Sequence, residues 1–159
     1  MNLEHPLDPV EHWDELVDRA RALLHGEAHS IANAANLSAL IFHSLTDLNW
    51  VGFYFVEGEE LVVGPFQGLP ACVRIPFGRG VCGVAAAEQR TQRVADVHAF
   101  DGHIACDVDS RSEIVVPLVR NGRVIGVLDI DSPVPDRFDV ADQAGFEALA
   151  ELYVASLDG

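Results

Sequence analysis

Arg120-Asn121-Gly122-Arg123 lies between two long apolar stretches, EIVVPLV before it and RVIGVLDID after it. Asn-Gly in that setting favours a two-residue type I′ turn, because both residues accept positive φ at small cost. The stretch is therefore read as a β-hairpin, and the rest of the chain must pack against it. Alternation then assigns sides in the second strand. Leu128 and Ile130 share one face, and Asp129 and Asp131 share the other.

A second run, NWVGFYFV, is rich in aromatic and β-branched residues and reads as a strand from Asn49. EGEE turns the chain and LVVGPF returns it. The stretch from Gln67 to Gly83 is rich in Gly and Pro, with a short strand expected at Val73–Ile75. VCGVAAAEQ reads as a short helix entered through Gly78 and Gly80, and QRVADV as a brief strand. The long loop HAFDGHIACDVDSRS follows.

Helical periodicity flanks this β region. Asp8-Pro9-Val10-Glu11 has the form of a helix start, with Asp8 as cap and Pro9 at the first helical position. Trp13, Leu16, Val17, Ala20, Leu23 and Leu24 then share a face, and Gly26 ends the helix. A second helix is expected from Ser30 to about Leu45, with Ile31, Ala34, Ala35, Leu37, Ile41 and Leu45 on its apolar side. A closing helix at about 140–157 is capped by Asp139, with Asp142 three residues on, and carries Phe146, Leu149, Ala150, Tyr153 and Leu157. Two helices (about 9–45), a sheet core (about 49–131) and a closing helix make one α+β domain over residues 1–159. Its central sheet is largely antiparallel and flanked by helices.

The charge narrows the function. Twenty-five acids face ten bases, all Arg, for a formal charge of −15. Such a surface repels phosphate backbones and anionic lipid, which excludes nucleic acid and membrane as expected partners. No apolar run approaches the roughly 20 residues that span a bilayer. The acidic, polar N-terminus does not read as a signal peptide, so a cytoplasmic location is expected.

Three cysteines, Cys72, Cys82 and Cys106, leave core packing, metal binding or thiol chemistry open in a reducing compartment. Cys82, among Val81, Gly83 and Val84, looks like a small buried hydrophobe. Cys106 lies in a polar loop with Asp107, Asp109 and Ser110 after it, where reactive groups tend to sit. His98, His103, Cys106 and Asp107 have the types of zinc ligands but lack ligand spacing, so no metal is assigned. A hydrolase with His103 as base is a further reading. Asp129 and Asp131 on one face would repel each other unless a cation or shared proton intervened. Trp50 and Tyr54, four apart on a strand, share a side and could line a pocket.

Taken together, NWVGFYF, GPFQGLPACVRIPFGRGVCG, FDGHIACDVDSRSEIVVPL and GVLDIDSP resemble the free methionine-(R)-sulfoxide reductases, single GAF-type domains. The similarity runs from about Asn49 to the closing helix and includes all three cysteines, ten and twenty-four residues apart. Asp101 stands where the resemblance leads one to expect a proline.

The resemblance implies a role for each matching residue. Cys106 would attack the sulfoxide sulfur, Cys72 would resolve, and Cys82 would be an auxiliary thiol. Glu113, Asp129 and Asp131 would hold the substrate ammonium and help protonate the sulfoxide oxygen. Trp50 and Tyr54 would shape the pocket around the methyl-sulfur end. The implied substrate is free methionine-R-sulfoxide. No cofactor would be bound, and an external dithiol, the thioredoxin system, would supply electrons. A homodimer is what the resemblance suggests. Sulfenic acid chemistry fits these residue types, because a second thiol traps Cys–SOH before overoxidation. Asp107 and Asp109 beside Cys106 work against a thiolate there, and Arg111, His103 or a helix N-terminus are the available counterweights.

Two rivals share the fold. One is a GAF sensor module binding a small molecule without catalysis, which would be expected to carry an output domain or coiled-coil linker. The other is a redox-sensing interaction protein. Fold alone does not separate them.

Overall fold

The computed structural model describes residues 9–102 and 109–159. Helices α1 (Trp13–Leu24) and α2 (Ser30–Ser44) precede strands β1 (Trp50–Glu57), β2 (Glu60–Gly68) and β3 (Arg74–Pro76). Helix α3 (Gly80–Glu88), strand β4 (Gln92–Val94) and a single 3₁₀ turn (Val97–Ala99) follow. The hairpin β5 (Ser112–Arg120) and β6 (Arg123–Ser132) and helix α4 (Val140–Ser156) complete the chain. The strands form one sheet in the order β3-β2-β1-β6-β5-β4, with every neighbouring pair antiparallel. Among the described residues no helix is long and apolar enough to cross a membrane.

The Asn-Gly turn forms as the sequence predicts, with φ of 52° at Asn121 and 77° at Gly122. Counting outward from the Arg120–Arg123 pair would set Glu113 opposite Ile130. A bulge at Leu118/Val119 shifts the register by one residue, so Glu113 instead faces Asp131. Directly opposed residues lie on the same side of a sheet, so this one-residue shift decides which face Glu113 occupies.

Alternation divides the sheet into two layers. Val51, Phe53, Ile114, Val116, Leu128 and Ile130 pack under α1, α2 and α4. Trp50, Tyr54, Val115 and Val127 face the other way, under α3 with Val81, Cys82 and Ala85. Helix α4 is fixed by a complete capping box: Asp142 N–H donates to Asp139 Oδ1 (2.8 Å), and Asp139 N–H donates to Asp142 Oδ2 (2.9 Å).

Two expectations about the helices change. Helix α1 begins at Trp13 with His12 as an uncapped N-cap, not at Pro9. The Val10 N–H donates to the carbonyl of Ser44 (2.9 Å), which ties the preceding segment to the end of α2. Asp8 lies outside the described residues. In α2, Ile31 and Ala35 are exposed. The buried side instead mixes Ala34, Leu37 and Ile41 with Asn33, Ser38 and Ser44. Two of those small polar groups have local uses: Asn33 Nδ2 donates to the Glu27 carbonyl (2.8 Å) and Ser38 Oγ to the Ala34 carbonyl (2.7 Å). The short edge strand falls at Arg74–Pro76, one residue later than expected.

Candidate active site

The face under α3 contains a cleft. Its floor is the ends of β1, β5 and β6, which supply Trp50, Tyr54, Glu113, Asp129 and Asp131. Its wall is Leu69, Pro70 and Ala71 from the loop after β2, and Gly80, Val81 and Cys82 from the start of α3. The register builds the floor in rows. Trp50, Asp131 and Glu113 lie side by side across β1, β6 and β5, and Gly52, Asp129 and Val115 form the next row. Five of the residues singled out in the sequence for substrate binding are thus brought to one cleft, together with Cys82.

Gly52 is required here. A Cβ at this position would run into Phe66 and would come within 2.7 Å of the Trp50 ring. The glycine leaves room for the indole, which stacks on Phe66 (centroids 5.1 Å apart, 18° between planes) and leans against Tyr54 (5.8 Å). Both aromatics also hold the wall. Trp50 Nε1 donates to the Leu69 carbonyl (3.1 Å), and the Tyr54 hydroxyl donates to the Cys72 carbonyl (3.3 Å). The loop that carries Cys72 is therefore fastened by two residues of the pocket floor. The sequence suggested the aromatics as lining but gave no sign of this second task.

The acids are buried: Glu113 is 8% exposed, Asp129 4% and Asp131 8%. Burial, and then the charge of Asp129, pushes the Glu113 carboxyl well above its usual range. Burial, and then Asp131, does the same to Asp129, against hydrogen bonds from Glu113 and Cys82 that pull the other way. Taking a carboxylate out of water disfavours its charge, and like charges nearby add to that. Asp129 Oδ1 is buried with no hydrogen-bond partner. No Lys, Arg or His stands among the described residues of the lining.

Cys82 sits in the first turn of α3, where the helix dipole favours a thiolate. Burial and the three acids outweigh that dipole and push the thiol well above its ordinary value, so Cys82 is a protonated, buried thiol. The same causes, burial first, raise the Tyr54 phenol. Cys72 is half-buried and disulfide-bonded. Cys106, His103 and Asp107 lie outside the described residues. His98 is exposed, in the 3₁₀ turn that the Asp96 side chain caps.

The antiparallel sheet flanked by helices, with a cleft under one short helix, defines a GAF-type domain, and the GAF domain family matches residues 17–158. The free methionine-R-sulfoxide reductase of Escherichia coli is 54% identical over 143 residues, or 90% of this chain and 87% of that protein. The structure of fRMsr of Staphylococcus aureus in complex with substrate is 51% identical, with a TM-score of 0.89 over 95% of this chain and 98% of that one. The free methionine-R-sulfoxide reductase of Neisseria meningitidis, also solved with its substrate, is 42% identical, with a TM-score of 0.91 over 96% and 95% of the two chains. This chain belongs to the free methionine-(R)-sulfoxide reductases, a family of GAF-domain oxidoreductases.

Proposed function

We propose that the chain reduces free L-methionine (R)-S-oxide to L-methionine, with Cys106 as nucleophile, Cys72 as resolving thiol and Cys82 as an auxiliary thiol. The observation that carries this reading is the cleft floor. The buried carboxyl groups of Glu113 and Asp129, in a lining whose described residues include no base, call for a cationic guest, and a free amino acid brings an ammonium. A methionine sulfoxide residue inside a polypeptide has none, and a buried carboxylate left without its cation costs several kcal/mol. Trp50 and Tyr54 give the methyl-sulfur end an apolar wall.

The chemistry follows from the residue types. The sulfoxide oxygen leaves sulfur only when protonated, and a carboxyl held well above its usual range by burial is a suitable donor. The Cys106 sulfur attacks the sulfoxide sulfur, the oxygen passes to cysteine, and the products are methionine and Cys106–SOH. The Cys72 thiol then displaces water from the sulfenic acid and leaves a disulfide. An external dithiol, supplied by the thioredoxin system, returns both thiols. In sum, one sulfoxide and two thiols become one sulfide, one disulfide and one water, with no bound cofactor. That Cys72 is disulfide-bonded while Cys82 is a free thiol supports the choice of resolving cysteine.

The test offers the free R form, the free S form and a peptide-bound form, with a dithiol as reductant. Turnover of the free R form alone is expected, and equal turnover of all three would refute the reading. Cys106→Ser should abolish activity. Cys72→Ser should release one equivalent of methionine and then stall, and sustained turnover in that variant would remove Cys72 from the mechanism.

A further inference from the structure

We propose that Cys82, Glu113 and Asp129 form a binding site for a thiophilic divalent cation of the zinc class, which competes with the substrate for the pocket. One ligand atom from each residue lies within 4.8 Å of the other two, and all three residues are buried. Around a tetrahedral zinc, with metal–ligand bonds of about 2.0–2.3 Å, neighbouring donor atoms are roughly 3.5 Å apart. Small side-chain movements toward a common centre would therefore complete the set. Three protein ligands with a fourth position open to the cleft is the arrangement of an accessible zinc site rather than a closed structural one.

Two features beyond the cluster of acids point to a ligand. Asp129 lines the cleft and is only 4% exposed, and its Oδ1 is buried without a hydrogen-bond partner. Cys82 is a free thiol in contact with that carboxylate, and the reaction scheme gives it no essential step. A sulfur donor selects against magnesium and calcium, which take oxygen, and suits zinc. Binding would release the Cys82 proton, and any proton the two carboxyls share, to solvent. The cation would neutralise the floor just as an ammonium does. The metal site stands on this geometry alone, whereas the competition rests on the reading of the pocket given above.

The experiment titrates zinc chloride into the full-length, metal-free protein by calorimetry, with a phosphine in place of a thiol reductant. One equivalent is expected, and cobalt should give a thiolate-to-metal charge-transfer band. Cys82→Ser should remove the band. Cys82→Ser, Glu113→Gln and Asp129→Asn should each weaken zinc by more than the roughly 10- to 100-fold that loss of an outer-shell partner costs. Cys72→Ser and Cys106→Ser should bind as the parent does. Thermal melts of every variant establish that it is folded. Absence of zinc binding, zinc binding unchanged in Cys82→Ser, or zinc binding lost in Cys106→Ser would each overturn the site. In Cys106→Ser, which on the proposed mechanism does not turn over, saturating methionine-(R)-sulfoxide should raise the apparent zinc Kd, and an unchanged Kd would overturn the competition. The metal-free reductase assay is independent, so failure of the zinc site and failure of the reductase reading can be told apart.

Discussion

The two faces of the sheet are made from the same three strands and carry opposite contents. On the face under α1, α2 and α4, Phe53, Ile114, Leu128 and Ile130 are fully buried among aliphatic and aromatic neighbours. On the face under α3, at positions next to these in each strand, Tyr54, Glu113, Asp129 and Asp131 are almost as deeply buried. Burial of the first set supplies the hydrophobic driving force. Burial of the second set works against folding, because ionising Glu113 or Asp129 is disfavoured out of water and beside another acid. A sheet with one face devoted to stability can carry an acidic cavity on the other.

The largest expected effect breaks the stable face. Phe53 is fully buried, and its ring lies 4.7 Å from that of Tyr153. Phe53→Ala should cost about 3–5 kcal/mol, from lost transfer energy and the cavity left behind. Urea unfolding measures it, and a cost below about 1 kcal/mol would show that this face is not the main source of stability.

The second prediction turns the comparison round. Asp129→Asn keeps the shape and removes a carboxyl whose ionisation burial and Asp131 disfavour, so it should raise stability by about 1–3 kcal/mol at neutral pH. The same change should lower kcat/KM roughly 100-fold or more, if the carboxyl donates or orients a proton. Loss of stability in this variant would mean that the acids are mutually supporting, contrary to the account above.

Alkaline pH sharpens the contrast. Burial pushes Tyr153, on the apolar face, from 10.0 up to about 12, and its hydroxyl donates to the Ser30 carbonyl (3.1 Å). The fold holds the neutral phenol. Its contribution is therefore fully present below the unfolded value of 10.0 and is lost as pH rises from there through about 12. Tyr153→Phe should lose about 1 kcal/mol at neutral pH, from the missing hydrogen bond, but should remove this part of the alkaline decline. Tyr54 and Cys82, both raised, keep their own share on the other face. Urea midpoints at neutral and alkaline pH decide whether the variant's slope is the shallower.

The same contrast explains what could be read from the sequence. The hairpin, the pairing of Asp129 with Asp131 on one side, and the joint side of Trp50 and Tyr54 follow from period 2 and an Asn-Gly turn, which are local rules. Glu113 stood out as an acid beside the last two strands but was joined to Asp129 and Asp131 only by resemblance, and for a physical reason: turn counting places it opposite Ile130, and the bulge at Leu118/Val119 moves it to Asp131. Nothing local announces that bulge. The start of α1 misled because Asp8-Pro9-Val10-Glu11 satisfies every capping rule, while a tertiary hydrogen bond from Val10 to Ser44 wins. Cys82 read as a buried hydrophobe, and it is one by exposure. Only the fold shows that its neighbours are carboxylates.

The smallest expected effect on stability tests the join between floor and wall. The Tyr54 hydroxyl donates to the Cys72 carbonyl at 3.3 Å, a long bond at the cleft edge. Tyr54→Phe keeps the ring against Trp50 and should cost only about 0.5 kcal/mol, the low end for a hydrogen bond. If that bond sets the backbone around Cys72, its loss should slow resolution and leave the first chemical step intact. A burst of one methionine per protein should keep its rate while the following steady state falls. Equal slowing of both phases would make Tyr54 a pocket wall only. No change in either would leave Trp50, through its bond to the Leu69 carbonyl, as the residue that holds the loop.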